Sequence, residues 1–418
     1  AMVLLGSLLI FLAGKWNGLR GIAAVILLSS FVLLLPILIL EQFHYLYEER
    51  RFQSVVRYME QMIYSFQKHP KILSALEETQ QVLDGEIKER IQTIREEIEQ
   101  SKGMDYKKAF QTIEKGYHCE RLVQMHDFFI KVEEIGGQYQ AALNAILDDL
   151  KMWTERTYLF QKERSQMKKK IAASILCVLL LCSVLFHMII QSEEMKGILS
   201  SVPYQAGTTA ILVSFLILFV FSQKILTGSW IKKEKELDWE QIKKDWMHVR
   251  EEPDQYKRAR KRLKREVEKQ FPKWLRVVIL GLQTDNVYRT IVESADDAPA
   301  VLRLPLQILI EDLGKDPVSM IPYDHFLKEL EVPQIHSAVK MLYAYTNMGT
   351  SEAKEQLGEI MRRNTILTDR AERIQNEDEV AKYLLLFYVP MFLGTAKIML
   401  DMSLLFIVMF SLWGKMTG

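Results

Sequence analysis

Cysteine is scarce. Cys119, Cys177 and Cys182 are the three in 418 residues, and no CxxC pair occurs. A disulfide framework is thereby excluded, and the bulk of the chain is expected to face a reducing cytosol. An excess of charge of one sign is lacking as well: 54 Lys and Arg stand against 53 Asp and Glu. The chain is not built to neutralise a polyanion, and no nucleic-acid partner is expected. Signatures of chemistry are missing too. No GxxxxGK followed by Ser or Thr is present to cradle a phosphate, and no HExxH is present to hold zinc. The eight histidines (His44, His69, His118, His126, His187, His248, His325, His336) have no ligand spacing. His118, Cys119 and His126 lie near one another, but one face of a partly buried helix is the plainer reading than a metal site. No nucleophile elbow occurs. No catalytic, cofactor-binding or metal-ligating residue is expected, and the chain is not read as an enzyme.

What is present is long apolar runs. Residues 21–40, GIAAVILLSSFVLLLPILIL, and 171–190, IAASILCVLLLCSVLFHMII, carry no Asp, Glu, Lys or Arg. Each is about 30 Å long as a helix, the thickness of a bilayer core. Pro36 can kink the first without disqualifying it. Residues 207–222 form a third span, a little short unless 223–227 extend it. Residues 2–14 are apolar but brief. A signal-peptide core is one reading; a short first span, paired with 21–40 through KWNGLR, is the other and is preferred. The run 383–413 carries Lys397 and Asp401 at its middle and Pro390 and Gly394 near its start. It is expected as one long or kinked helix. Basic clusters should mark the cytoplasmic side. KERSQMKKK precedes the second span and KKEK follows the third, whereas 191–206 between them holds two Glu and one Lys. Both large polar segments, 42–170 and 228–382, are thus expected in the cytosol and 191–206 outside. Lys15 and Arg20 would then lie outside, against the rule.

The polar segments have helical periodicity. Phe52, Val55, Val56, Met59, Met62, Ile63 and Phe66 recur at steps of three and four, as do Ile87, Ile91, Ile94 and Ile98, and Leu302, Leu306, Leu309 and Leu313. No alternating strand pattern is found. The two segments also share an order of parts. Each opens on an apolar helix (52–67; 272–283) and breaks at a polar turn (Lys68-His69-Pro70; Thr284-Asp285-Asn286). Each then reaches a glycine turn (Gly136-Gly137; Gly349) and runs through a long charged helix into a span. His69 to Gly136 is 67 residues and Asp285 to Gly349 is 64; Gly136 to Ile171 and Gly349 to Leu384 are both 35. A duplication with a period of about 215 residues is expected.

This order resembles the platform family of type II secretion F and type IV pilus proteins. The residues that carry the likeness are Gly136-Gly137-Gln138-Tyr139-Gln140-Ala141-Ala142-Leu143 with 155–170 and the span from Ile171, and, in the second copy, 349–357, 365–382 and the span from Leu384 to Pro390. The paired N-terminal spans look more like the tight-adherence (Flp) pilus members. Family members often carry Gly in the first turn, where this chain has Lys68-His69-Pro70 and Thr284-Asp285-Asn286. The loop 314–322, GKDPVSMIP, is also unusual. The resemblance implies an inner-membrane platform that couples a cytosolic secretion ATPase to pilin assembly. Its implied partners are that ATPase, pilins and other platform subunits, in a homo- or hetero-oligomer.

The expected fold is all-α: a polytopic membrane protein with two duplicated cytosolic helical-bundle domains. Its parts are a membrane hairpin (1–41), a first helical domain (42–170), a second hairpin (171–227), a charged linker helix (228–271), a second helical domain (272–382) and a C-terminal membrane segment (383–418). Three sets of charged residues stand out. Glu96, Glu97, Asp148, Asp149, Arg362 and Arg363 flank apolar seams and are candidates for a partner surface, or simply solvated. In KRARKRLKR, Lys257, Arg258, Arg260, Lys261, Arg262, Lys264 and Arg265 suit anionic lipid, an acidic partner or plain solvation. Lys397 and Asp401, four residues apart in an apolar run, are functional candidates by position or a self-neutralising pair. A membrane signalling or transport protein with helical cytosolic domains is the alternative function.

Overall fold

The computed structural model describes residues 2–100, 105–136, 139–189, 197, 199–231, 238–252, 254–282, 285–296, 298–346 and 350–417. They are helical, with no strand among them. The helices are α1 (Met2–Trp16), α2 (Ile22–Lys68), α3 (Ile72–Val82), α4 (Glu86–Gln100), α5 (Tyr106–Tyr117), α6 (Glu120–Ile135), α7 (Gln140–Ile189) and α8 (Val202–Leu226). Then follow α9 (Trp239–Glu251), α10 (Lys257–Gly281), α11 (Val287–Ala295), α12 (Ala300–Lys315), α13 (Ile321–His325), α14 (Pro333–Thr346) and α15 (Thr350–Thr417). Four of these, α2, α7, α8 and α15, contain stretches long and apolar enough to cross a membrane.

Three of the four are longer than any bilayer needs. α2 has 47 residues, α7 has 50 and α15 has 68. The expected boundary at 41/42 falls inside α2. Nothing in EQFHYLYEERR, the stretch that follows the first span, can stop a helix; the stop comes at His69-Pro70, because a residue before proline is driven out of the α region. Pro390 and Gly394 do not end α15 either. The third span is extended at both ends, for α8 begins at Val202 with a proline in its first turn and runs through 223–226 to Leu226. Residues 202–206, expected in the outer loop, are therefore helical. α1 has 15 residues, about 22 Å, short of a full crossing.

The contacts divide the chain into two compact units, one comprising 1–50, 157–230 and 379–418 and the other 51–156 and 231–378. The apolar unit holds the spans. α1 lies antiparallel on α2, with Gly6 against Phe31 and Gly14 against Leu27. Ile171, Phe215, Leu218 and Tyr383 form its main core. Leu180, Val184, Leu385, Phe392 and Phe406 face outward, as lipid-facing positions do.

The polar unit is made from both polar segments. In the first, the predicted seam of α2 is buried from Phe52 to Phe66, and Phe66 stacks on Phe129 of α6 at 4.4 Å. Ile87, Ile91, Ile94 and Ile98 are buried as their spacing requires. α6 stops at Gly136, whose φ of +78° is open to glycine at little strain. Gly137 and Gly349 lie outside the described residues, as does the KKEK cluster. The second segment has one continuous core, and this core corrects the reading of 228–271 as a linker. Ile242, Trp246 and Val249 of α9 and Leu263 and Val267 of α10 belong to it, together with Leu302, Leu306 and Val339. The Trp246 indole donates to the Val301 carbonyl at 2.9 Å. The abundance of charge in α9 and α10 hides an apolar stripe that needs covering.

Candidate functional site

Asp149 of α7 is the hub of the polar unit. The helix buries Ala142, Leu143, Leu147, Leu150 and Trp153 along one stripe, and position 149 falls at the edge of that stripe. Its carboxylate meets Arg121 of α6 at 2.9 Å and Arg276 of α10 at 3.1 Å. Arg121 also reaches Glu372 of α15 at 3.1 Å, and Arg156 of α7 meets the same Glu372 at 2.5 Å. Arg121 lies over the Trp153 ring, 5.0 Å from its centre. Around this set, Lys273 pairs with Glu120 at 3.1 Å and Lys131 with Asp285 at 3.1 Å. Burial alone would raise the Asp149 pKa; the guanidiniums of Arg276 and Arg121 outweigh it and hold it at about 2.

These ion pairs join 51–156 to 231–378, segments that the chain separates by the spans in α7 and α8.

Beside the cluster is a cleft of about 580 Å3. Asp148, Asp149 and Arg362, three of the six residues expected at a partner surface, line it together with Arg121 and Arg276. Asp148 is exposed, but Asp149 is not the solvated neighbour that the sequence implied: 19% of its side chain is accessible, and it is bound on two sides. Arg362 is exposed and paired with Glu359, and Arg363 is half-buried. Glu96 and Glu97 are exposed on α4 and do not line the cleft. The residues that sequence reasoning missed are Arg121, Arg156, Arg276 and Glu372. They come from four helices up to 251 positions apart, and no local pattern marks them.

The basic stretch is partly engaged within the protein. Arg262 grips Asp245 with two hydrogen bonds of 2.6 and 2.7 Å. Arg260 donates to the Glu329 carbonyl and pairs with Glu331, and Lys264 donates to the Glu331 carbonyl. Arg265 is half-buried, so Lys257, Arg258 and Lys261 are the exposed members of the set besides Arg262. The proposed lipid contact shrinks accordingly.

His118 and His126 do not form a metal site with Cys119. His118 takes a left-handed turn after α5. His126 is buried, with Nδ1 2.7 Å from Glu114, Nε2 3.0 Å from the Tyr58 hydroxyl and the ring stacked on Phe110 at 3.8 Å. Both ring nitrogens are occupied. Burial lowers the His126 pKa, and Glu114 offsets part of that.

In the apolar unit, Lys397 and Asp401 are both buried and 2.5 Å apart. The ammonium lies 5.0 Å from the Phe186 ring centre and 4.8 Å from that of Tyr204. The Tyr204 hydroxyl donates to the Asn17 carbonyl at 2.7 Å, and Ser183 donates to the Asn17 side chain at 3.2 Å. The two charges pair with each other, and the ammonium sets α15 against α7 and α8 through Phe186 and Tyr204.

Compared with known proteins, the chain matches no family model, no curated protein and no solved structure.

Proposed function

We propose that this protein is a non-enzymatic membrane platform for pilus assembly or type II-like secretion, which couples a cytosolic secretion ATPase to pilin insertion or extraction. The observation that carries the reading is the ion cluster of Arg121, Asp149, Arg276 and Glu372. A platform that transmits force needs its two polar segments on one side of the membrane and bound to each other, and the pairing of Arg121 with Glu372 and of Arg276 with Asp149 across the two segments supports that requirement. The positive-inside argument assigns that side to the cytosol. The order of helices supports a duplication: α2, α3, α4, α5, α6 and α7 are matched in sequence by α10, α11, α12, α13, α14 and α15. The signalling or transport alternative calls for ionisable groups along several spans. Lys397 and Asp401 occupy one span and neutralise each other.

Two measurements test the reading. In a background without native cysteines, Ser201→Cys should react with an impermeant thiol reagent in intact cells, whereas Glu97→Cys and Lys328→Cys should react only after permeabilisation. Different sidedness for Glu97 and Lys328 would overturn the single polar unit. The detergent-solubilised chain should also retain the cognate secretion ATPase on affinity purification; failure to recover it would overturn the platform.

A further inference from the structure

The cleft beside Asp149 is not a neutral dent. Its lining carries four cations, Arg121, Lys151, Arg276 and Arg362, against two carboxylates, Asp148 and Asp149. Glu372 and Glu359 offset Arg121 and Arg362 from outside it, but Glu372 is shared with Arg156. A cation remains in excess. The apolar part of the wall includes Met59, Met125, Met152 and Met361, unbranched thioethers that adapt to varied side chains. Asn364 faces the same space. It is 7% exposed, and its Oδ1 has no hydrogen-bond partner.

These features define complementary chemistry. Methionine walls call for apolar side chains, the cationic surplus for a carboxylate, and the orphaned amide oxygen for an N–H. A protein segment supplies all three. A volume of about 580 Å3 takes a few side chains rather than a whole domain. We infer that the cleft receives an amphipathic segment of a protein partner that presents apolar side chains and one carboxylate. This deepens the platform reading and rests on it for the partner's being a protein.

The test uses the full-length chain in detergent and fluorescent helical peptides of roughly 14 residues, four turns. Each carries Leu and Met at a spacing of three and four. One peptide has a central Glu, a second Gln in its place and a third Lys. The Glu peptide should bind most tightly, the Gln peptide about tenfold more weakly, the scale of one charge-assisted hydrogen bond, and the Lys peptide more weakly still. Lys151→Glu with Arg362→Glu, both exposed positions, should invert the order. Ala145→Trp, which fills the cleft from α7, should abolish binding of every peptide. Equal binding of the three peptides, no binding by any, or indifference to Ala145→Trp would overturn the inference. Lost discrimination with ATPase recovery intact refutes the cleft alone; intact discrimination with no ATPase recovered refutes the platform alone.

Discussion

Asp148 and Asp149 are adjacent residues of one type, and the structure gives them opposite fates. Asp149→Asn removes the charge that Arg276 and Arg121 share. Arg121 keeps Glu372, but Arg276 is left with Gln124, whose oxygen is 3.3 Å away. Two routes give the size of the loss. The Asp149 pKa falls from 3.8 to about 2 on folding, which at 1.36 kcal/mol per unit amounts to about 2 kcal/mol at neutral pH. Removing one partner of a fully buried pair costs about 3–5 kcal/mol, and Asp149 is less than fully buried. The expected loss is about 2–4 kcal/mol, or about 5–15 °C in the thermal midpoint. Asp148→Asn, on an exposed carboxylate, should stay within about 0.5 kcal/mol. The sign with pH follows from the depressed value. The unfolded chain takes up the proton first, so the contribution is complete above about pH 5 and is lost as pH falls from about 4 towards 2. Thermal unfolding of the two variants and the wild type in detergent, scanned over pH, measures both effects. Equal midpoints for the Asn variants at neutral pH would refute the assignment of Asp149 to the cluster. So would an unaltered acid limb in Asp149→Asn.

Two further outcomes are expected. Lys397→Ala or Asp401→Ala alone should lower thermal stability by about 3–5 kcal/mol, because each strands a buried charge, while the double variant should recover most of it; additive losses would mean that the two groups do not form a pair. His126, held neutral by burial, makes the fold less stable in mild acid. Its pKa is lower folded than unfolded, so its contribution is complete above about pH 6.5 and declines below it. His126→Gln should flatten that limb of the stability profile, and an unchanged limb would place the titration elsewhere.

The helical class and the helices long and apolar enough to cross a membrane were legible in the chain because each follows from local order. Runs of about twenty apolar residues need no partner to declare themselves, and steps of three and four declare a helix with one buried face. Helix ends were legible where proline or glycine acts by itself, at His69-Pro70 and Gly136. The extents of α2, α7 and α15 were less so. An apolar span and a polar seam look like two elements, yet without a breaker between them the helix runs on. The lining of the cleft was half legible. Charges beside a seam pointed to Asp148, Asp149 and Arg362, but which of them meets solvent depends on what covers the seam. Arg121 and Arg276 decide that for Asp149, and they reach it from helices within thirty residues on one side and more than a hundred away on the other. Periodicity fixes the face of a helix from its neighbours in sequence; the pairing of charges across helices depends on distances that only the folded chain sets. The same reason hid the apolar stripe of α9 and α10 under their charge, and revealed Lys397 and Asp401, whose partners are four residues apart on one helix.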